Sequence, residues 1–392
     1  MIKRVVILTA GALAATSLVS CRDSLPTYLL SQGLQQGALY MGARPVEEVL
    51  NDPTSDPVVK RYLALSRDVL EFASTQLGMN TKGNYRSYAA LKRRWVSYVV
   101  VAAERDRLQA HLFEYPFFGG LPYRGYFKLG DANDFAKRLR TQGLDVHVRP
   151  VPAYSTTGWL PDPIVTSMFA SEVDFIEVLF HELVHVQFYV SGEADFNEAF
   201  ATWFAHKATE RFIRERAFSN EERARLLAEL SASQNRDLVR TQWIHRVLAQ
   251  ARDFYASPSF KNATDSERAH LRQGLFAEIS SQLSKVEGLE KWAAIEWNNA
   301  VLVSLSTYHD LVAGIDAYSM ARGLSPADLL RATQENASPI LSELKRPLDS
   351  ACRNSVSRNP LDPRESSELS ECPSDSARRR PQPSAELSSR EP

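Results

Sequence analysis

The sequence predicts an α+β protein that is predominantly helical, with a small sheet ahead of its most distinctive helix. Three observations carry this. Most of the body, from about residue 25 to 345, spaces its apolar residues at helical intervals. The region from about 112 to 165 breaks that pattern with aromatics, glycines and prolines, and contains one clear alternation. The segment "FIEVLFHELVHVQFYV" then gives a strongly apolar helix that carries two histidines four residues apart.

Taken in order, "SYAALKRRWVSYVVVAAERDRLQAHLF" places Leu91, Trp95, Tyr98, Val99, Ala102, Leu108 and Leu112 near helical spacing and predicts a helix. "HLFEYPFFGGLPYRGYFKLG" predicts loops and short strands, with prolines at 116 and 122. In "DANDFAKRLRTQG", Asp131 is the expected N-cap of a helix and Gly143 its stop. "LDVHVRPVPAYSTTGW" alternates Leu144, Val146 and Val148 against Asp145, His147 and Arg149, which predicts a half-buried strand. The histidine helix is expected to end at Ser191-Gly192. Ser325-Pro326 supplies an N-cap and a first-turn proline for a helix through about Leu344. No repeat of 20 to 50 residues is present, and no polar linker divides the body.

The ends of the chain have a different character. Lys3 and Arg4 precede an apolar run from Val5 to about Leu18, too short for a comfortable membrane span and suited to a secretory signal. The run closes on Leu18-Val19-Ser20-Cys21, which resembles the bacterial lipobox, with an ordinary signal peptide as the alternative. The resemblance implies lipid on Cys21 and a mature chain that starts there. With Arg22 and not Asp as the second mature residue, sorting rules of some bacteria slightly favour the outer membrane, with the protein facing the periplasm of the cell envelope. Residues 353 to 392 hold ten Ser and six Pro and no aromatic residue, so they cannot bury enough apolar surface to offset ordering. The expected division is therefore a lipoprotein signal peptide over 1–20, a single domain over 21–345 and a Ser/Pro-rich disordered tail over 346–392. Cys352 and Cys372 can pair in an exported protein, closing only a small loop. The Arg378-Arg379-Arg380 run reads as solvated.

With 46 Lys and Arg against 47 Asp and Glu, the formal net charge is −1, which gives no electrostatic case for nucleic acid. No Gly-rich phosphate loop points to a nucleotide, and no Cys-x-x-Cys pair points to a thiolate metal site.

The chemistry concentrates in "HELVHVQFYVSGEADFNEAFATWFA". Positions i and i+4 share one helix face, so His181 and His185 present their imidazoles to a common point. Zinc takes neutral imidazole nitrogens, needs at least one further protein ligand, and in catalytic sites keeps a position for water. Glu182 is placed to accept the proton of that water. With 8 histidines in 392 residues, such a pattern arises by chance in roughly 1% of chains of this composition. The competing reading is a helix with two satisfied histidines, but its apolar setting would bury imidazoles without partners. For the third ligand, Glu198 follows a short turn that folds the next helix back. Glu193 and Asp195 are rivals, and Asp195 with Glu198 can instead form a capping arrangement. His206 lies about 12 Å along the helix from Glu198 and is not expected to share the site.

H-E-L-V-H followed by F-N-E-A-F-A resembles the glutamate-zincin (gluzincin) peptidases, in which the Glu of an Asn-Glu helix completes a zinc site. More specifically, the chain is similar to a family of predicted bacterial zinc aminopeptidases, often lipoproteins, through "LPYRGYF", "VPAYSTTGWLPDP" and "NNAVLVSLSTYHD" as well. The resemblance implies a zincin-like metallopeptidase domain, zinc on His181, His185 and Glu198, Glu182 as general base and a peptide substrate. Two departures limit it. The gap from His185 to Glu198 is shorter than in thermolysin-like enzymes, and no Gly-Ala-Met-Glu-Asn segment is present, so exopeptidase specificity is not implied. A second electrophile for the oxyanion is expected at Tyr308, with His309 next, against a core role for that tyrosine. Tyr154 and Ser155 suit alignment of substrate backbone, against a structural aromatic corner. The alternative function is a non-catalytic, zinc-stabilised envelope lipoprotein, a scaffold or binding protein. Structural zinc normally closes all four positions with protein ligands, and only three are offered here.

Overall fold

The computed structural model describes residues 25–115, 119–153, 156, 160–306 and 310–344. Cys21, Tyr154, Ser155, Tyr308, His309 and the tail with Cys352 and Cys372 lie outside the described residues. The described chain opens with α1 (Leu25–Met41), β1 (Arg44–Pro45), α2 (Val46–Asn51) and α3 (Pro57–Thr75). The Asp56 carboxylate accepts from the Val58 N–H at 2.7 Å and Pro57 occupies the first helical position, which together start α3.

Next come β2 (Ser87–Ala89) and β3 (Ser97–Ala103), where a helix was expected. The local reason is the β-branched run of Val96, Val99, Val100 and Val101. β3 is also covered on both faces, so it shows a continuous apolar run and no alternation. β4 (Phe113–Tyr115), β5 (Gly119–Leu121) and β6 (Tyr123–Tyr126) are short, as the prolines and glycines suggested. α4 (Leu129–Thr141) starts after Lys128 without a side-chain cap, so Asp131 lies in its first turn and is not the N-cap. Gly143, at φ +89°, does end it, in the left-handed region that favours glycine. β7 (Asp145–Val151) is the predicted strand, and β8 (Ile164–Val165) follows.

Among the described residues these strands form three small sheets. β3 lies between β6 and β7 and is antiparallel to both, with Val100 opposite Arg124 on one side and Val148 on the other. β2 joins β1 antiparallel and β8 parallel, and β4 and β5 form a separate pair.

The helical half contains α5 (Glu172–Gln187), α6 (Ala194–Glu215), α7 (Asn220–Ala256), α8 (Pro258–Lys261), α9 (Asp265–Leu283), α10 (Glu290–Ala293), α11 (Asn299–Ser306), α12 (Asp310–Arg322), α13 (Pro326–Glu335) and α14 (Ser338–Leu344). The predicted Ser325 cap is present, accepting from the Asp328 N–H at 3.2 Å. That helix stops at Glu335, however, and does not run through to Leu344. Pro339 has no N–H for the Glu335 carbonyl, so the chain breaks and restarts at Ser338.

The central sheet is clamped between layers. Val100, Ala102 and Val146 pack on Ala132, Ala136 and Leu139 of α4, whereas Val99, Val101 and Ala103 pack on Ala300 and Val303 of α11. A polar knot fixes this junction. Asp145 accepts from the Asn299 N–H at 2.9 Å and pairs with Arg272, while Asn299 donates to the Glu104 carbonyl at 2.8 Å and accepts from Tyr255 Oη at 2.8 Å. The expected alternation of exposure is not kept along β7: Asp145 is buried against a charge partner, and His147 and Arg149 are only partly exposed, as Val148 is. The described residues up to Leu341 form one compact unit. Among the described residues, no helix is long and apolar enough to cross a membrane.

Candidate active site

α5 begins at Ser171, whose hydroxyl accepts from the Asp174 N–H at 3.1 Å, with Glu172 and Asp174 in the positive first turn. Phe175, Ile176, Leu179, Phe180 and Leu183 are fully buried, which anchors the helix and leaves His181 and His185 on its other side. α3 packs against this apolar face, with Phe72 edge-on to Phe180 at 6.4 Å between ring centroids.

The helix ends four residues before Ser191, at Gln187, and Phe188 is extended. Two neighbours explain the early stop. Lys82 donates to the Val186 carbonyl at 3.0 Å, and Gln187 exchanges bonds with the backbone of Asn80, so a loop outside the helix takes its last groups. Asn197 then takes both backbone groups of Val190, accepting at 2.9 Å and donating at 2.8 Å. Phe188 packs edge-on to Phe200 at 5.0 Å. Gly192, at φ +79°, makes the turn into α6.

This turn lays the start of α6 against the end of α5, and Glu198 arrives beside the histidines. Its Oε2 is 3.2 Å from His181 Nε2, its Oε1 is 3.7 Å from His185 Nε2, and the two imidazole nitrogens are 3.2 Å apart. The three residues form a possible metal-holding group whose ligand atoms all lie within 4.8 Å of one another. The capping alternative for Glu198 is not formed: α6 starts after Glu193 without a side-chain cap bond. Neither Glu193 nor Asp195 belongs to the converging group. Ligands at 2.0–2.1 Å around a tetrahedral zinc are about 3.3 Å apart, so the observed separations fit that ion.

Electrostatics are those of a shielded acid–imidazole cluster. Burial works to raise the Glu198 carboxyl, but bonds with His181 and His185 outweigh it and hold the group well below the usual range. Burial would depress His185, and the Glu198 carboxylate reverses this. Burial pushes the Glu182 carboxyl up, with Glu198 and Asp162 adding to the rise and the two histidines opposing it. Glu182 thus shares its electrostatic surroundings with all three members of the group.

Several neighbours were not singled out from sequence. Asp162 is buried in a Pro-Asp-Pro setting, accepting from Tyr40 Oη at 2.8 Å and the Thr156 N–H at 2.8 Å. The Asn84 side chain accepts from the Asp162 N–H at 2.7 Å, and the Tyr85 N–H donates to the Asp162 carbonyl at 2.7 Å. The 80–85 loop therefore joins the end of α5 to Asp162, and Lys82 and Tyr85 adopt φ of 47° and 60° in it. Those are strained positions for residues other than glycine. The Tyr189 phenol is raised by burial and by the Glu198 charge. One turn before His181, Glu177 is pushed up to about 8 by burial and by the carboxylates of Asp237 and Asp174. It lies 3.8 Å from His206, whose pKa burial lowers, and His206 is not one of the three converging residues.

No curated protein and no solved structure matches the chain. A family model does, and its match over residues 27–335 spans the sheets, the histidine helix and the helices after it. The chain belongs to the family described as "Putative aminopeptidase".

Proposed function

We propose that the protein is a zinc-dependent peptide hydrolase of gluzincin type, acting as an aminopeptidase in the bacterial cell envelope. The observation that carries this reading is the convergence of His181, His185 and Glu198 beside Glu182, in a chain of an aminopeptidase family. The donor set of two imidazoles and one carboxylate suits zinc and leaves a fourth position for water. When bound there, zinc lowers the pKa of a water molecule and polarises a carbonyl.

The chain's own residues supply the rest. His181 and His185 offer Nε2 atoms, and Glu198 offers its charge, fixed by the Asn197 clamp one residue earlier. Glu182 takes the proton of the attacking water and returns it to the leaving amine, the role of a general base and then acid. A carboxyl raised by burial is better matched to that exchange near neutral pH than an ordinary one. The developing oxyanion needs a donor. Tyr308 remains the candidate from sequence, and Tyr189 joins it because burial and the Glu198 charge keep its phenol protonated. Tyr154 and Ser155 are proposed to align substrate backbone. Thr156, the next residue, is tied to Asp162, and Asp162 acts on Glu182, which supports a place for this segment at the site. Envelope location rests on the signal-like segment and on Cys21 as a lipid anchor, the outer membrane being slightly favoured. The zincin-like fold is supported by the helix–turn–helix that delivers the ligands.

The experiment is metal analysis coupled to digestion of a peptide library with free and blocked amino termini. Wild type with full zinc that cleaves nothing would leave the non-catalytic lipoprotein as the better account.

A further inference from the structure

α1 is built inside out. Its seventeen residues, "LPTYLLSQGLQQGALYM", contain no charged side chain, and none is buried. The polar groups face the protein: Tyr28 Oη donates to the Gly125 carbonyl at 2.8 Å, Gln32 Oε1 accepts from the Phe127 N–H at 3.1 Å, and Tyr40 Oη donates to Asp162 at 2.8 Å. Those three residues recur at spacings of four and eight, which is one helix face. The opposite face carries Leu30, Leu34 and Met41, at 66%, 67% and 84% exposure, with Gly37 on the same stripe. A surface helix normally presents its apolar stripe inward, so this arrangement leaves an apolar ridge to be covered.

We infer that the Leu30–Leu34–Met41 ridge is a membrane-contact surface that lies in the headgroup region of the bilayer. The inference rests on the proposed envelope location in one respect, the nearness of Cys21. That residue precedes Leu25 by four positions, and four residues span at most about 14 Å. An acylated Cys21 would therefore hold the Leu25 end of α1, which carries Leu30 and Leu34 in its first three turns, close to the headgroup layer of the membrane. α1 is too short and too polar on its inner face to cross, so it lies on the surface. An inserted apolar ridge next to a lipid anchor adds membrane affinity of its own, in proportion to the apolar area it buries. Beside Leu34, a recess holds Arg124, Lys128 and Arg138 against Asp131 and Asp134. Three cations against two carboxylates give little net charge, so apolar insertion and not lipid charge governs the contact.

The test uses the full mature chain without acyl groups, made by Cys21→Ser behind an ordinary cleaved signal. It is mixed with vesicles of phosphatidylethanolamine and phosphatidylglycerol and sedimented, at low and raised salt. Wild type should bind with little salt dependence. The Leu30→Asn, Leu34→Asn, Met41→Gln variant should need at least about tenfold more lipid, since it loses three exposed apolar side chains. Unchanged melting of the variant is the folding control. Absence of binding by the unacylated wild type, equal binding by the variant, or a ridge-dependent dimer in light scattering would each overturn the inference. Fatty-acid labelling of native Cys21 is read separately. An unlabelled cysteine removes the anchor, while the vesicle result still decides the ridge.

Discussion

Asn197 grips Val190 through both of that residue's backbone groups, accepting its N–H at 2.9 Å and donating to its carbonyl at 2.8 Å. The bonds span seven residues and close the turn between the two helices that carry the ligand group. Asn197 is almost fully buried, so these two bonds account for its side-chain amide.

Asn197→Ala should therefore remove both bonds, leaving the Val190 carbonyl with the Glu193 N–H at 3.2 Å and the Val190 N–H without this acceptor. The cost is about 0.5–1.5 kcal/mol for each bond lost. Asn197→Asp loses the donor and places a second carboxylate beside Glu198, so it should be no milder. Both are expected to melt earlier than wild type and to hold zinc more weakly, by thermal denaturation and metal titration. A variant with unchanged metal affinity would show that Glu198 finds its place without the clamp.

Zinc itself makes the second prediction. Wild type should purify with one zinc per chain, and His181→Ala or His185→Ala should carry none. Glu198→Gln should bind more weakly, because a neutral ligand replaces a charged one next to two imidazoles. Chelation of wild type should lower the melting temperature, since an ion that binds only the folded state stabilises it. Stoichiometric metal in both histidine variants would remove the site.

His147 supplies a pH prediction outside the His181, His185 and Glu198 group. Burial, then the charges of Arg149 and Arg140, lower its pKa to about 4 from an ordinary 6.5. Between those values the unfolded chain takes up a proton that the folded chain refuses, so stability falls as pH drops through that window. Above the unfolded value the group contributes no pH dependence, and below the folded value its loss is complete. The loss amounts to at most about 3 kcal/mol. His147→Gln should flatten the stability profile between pH 4 and 6.5, measured by denaturant titration. An identical slope in wild type and variant would show that His147 titrates normally.

How much of this was legible in sequence varies with the range of the forces involved. The His181/His185 pair follows from helix periodicity alone, which is local, and Glu198 needed only one short turn. The 87–113 segment reads as helix in sequence because tertiary burial on both faces of β3 erases its alternation, leaving an apolar run that also fits a helix. The end of α5 was placed too late for a similar reason. Lys82 and Asn80 reach it from over a hundred residues away. Asp162 carries only a Pro-Asp-Pro signature, and its partners Tyr40 and Asn84 are remote in sequence. Long-range polar pairing leaves no periodic trace.

The prediction that separates an enzyme from a zinc-stabilised scaffold concerns Glu182. Its carboxyl lies in the field of His181, His185, Glu198 and Asp162, and burial raises its proton affinity. An amide of the same shape cannot accept a proton from water, so Glu182→Gln keeps the volume and removes the base. Zinc content and melting should therefore stay close to wild type, whereas Glu198→Gln should alter the metal. General base catalysis contributes about 10²- to 10⁴-fold, so hydrolysis of a good peptide should fall by at least roughly a hundredfold. The fall should appear in kcat with KM little changed, because Glu182 acts on the water and not on substrate affinity. Glu182→Gln that cleaves as fast as wild type would exclude it as the base. Equal cleavage of blocked and free amino termini by wild type would keep the peptidase and discard the aminopeptidase specificity.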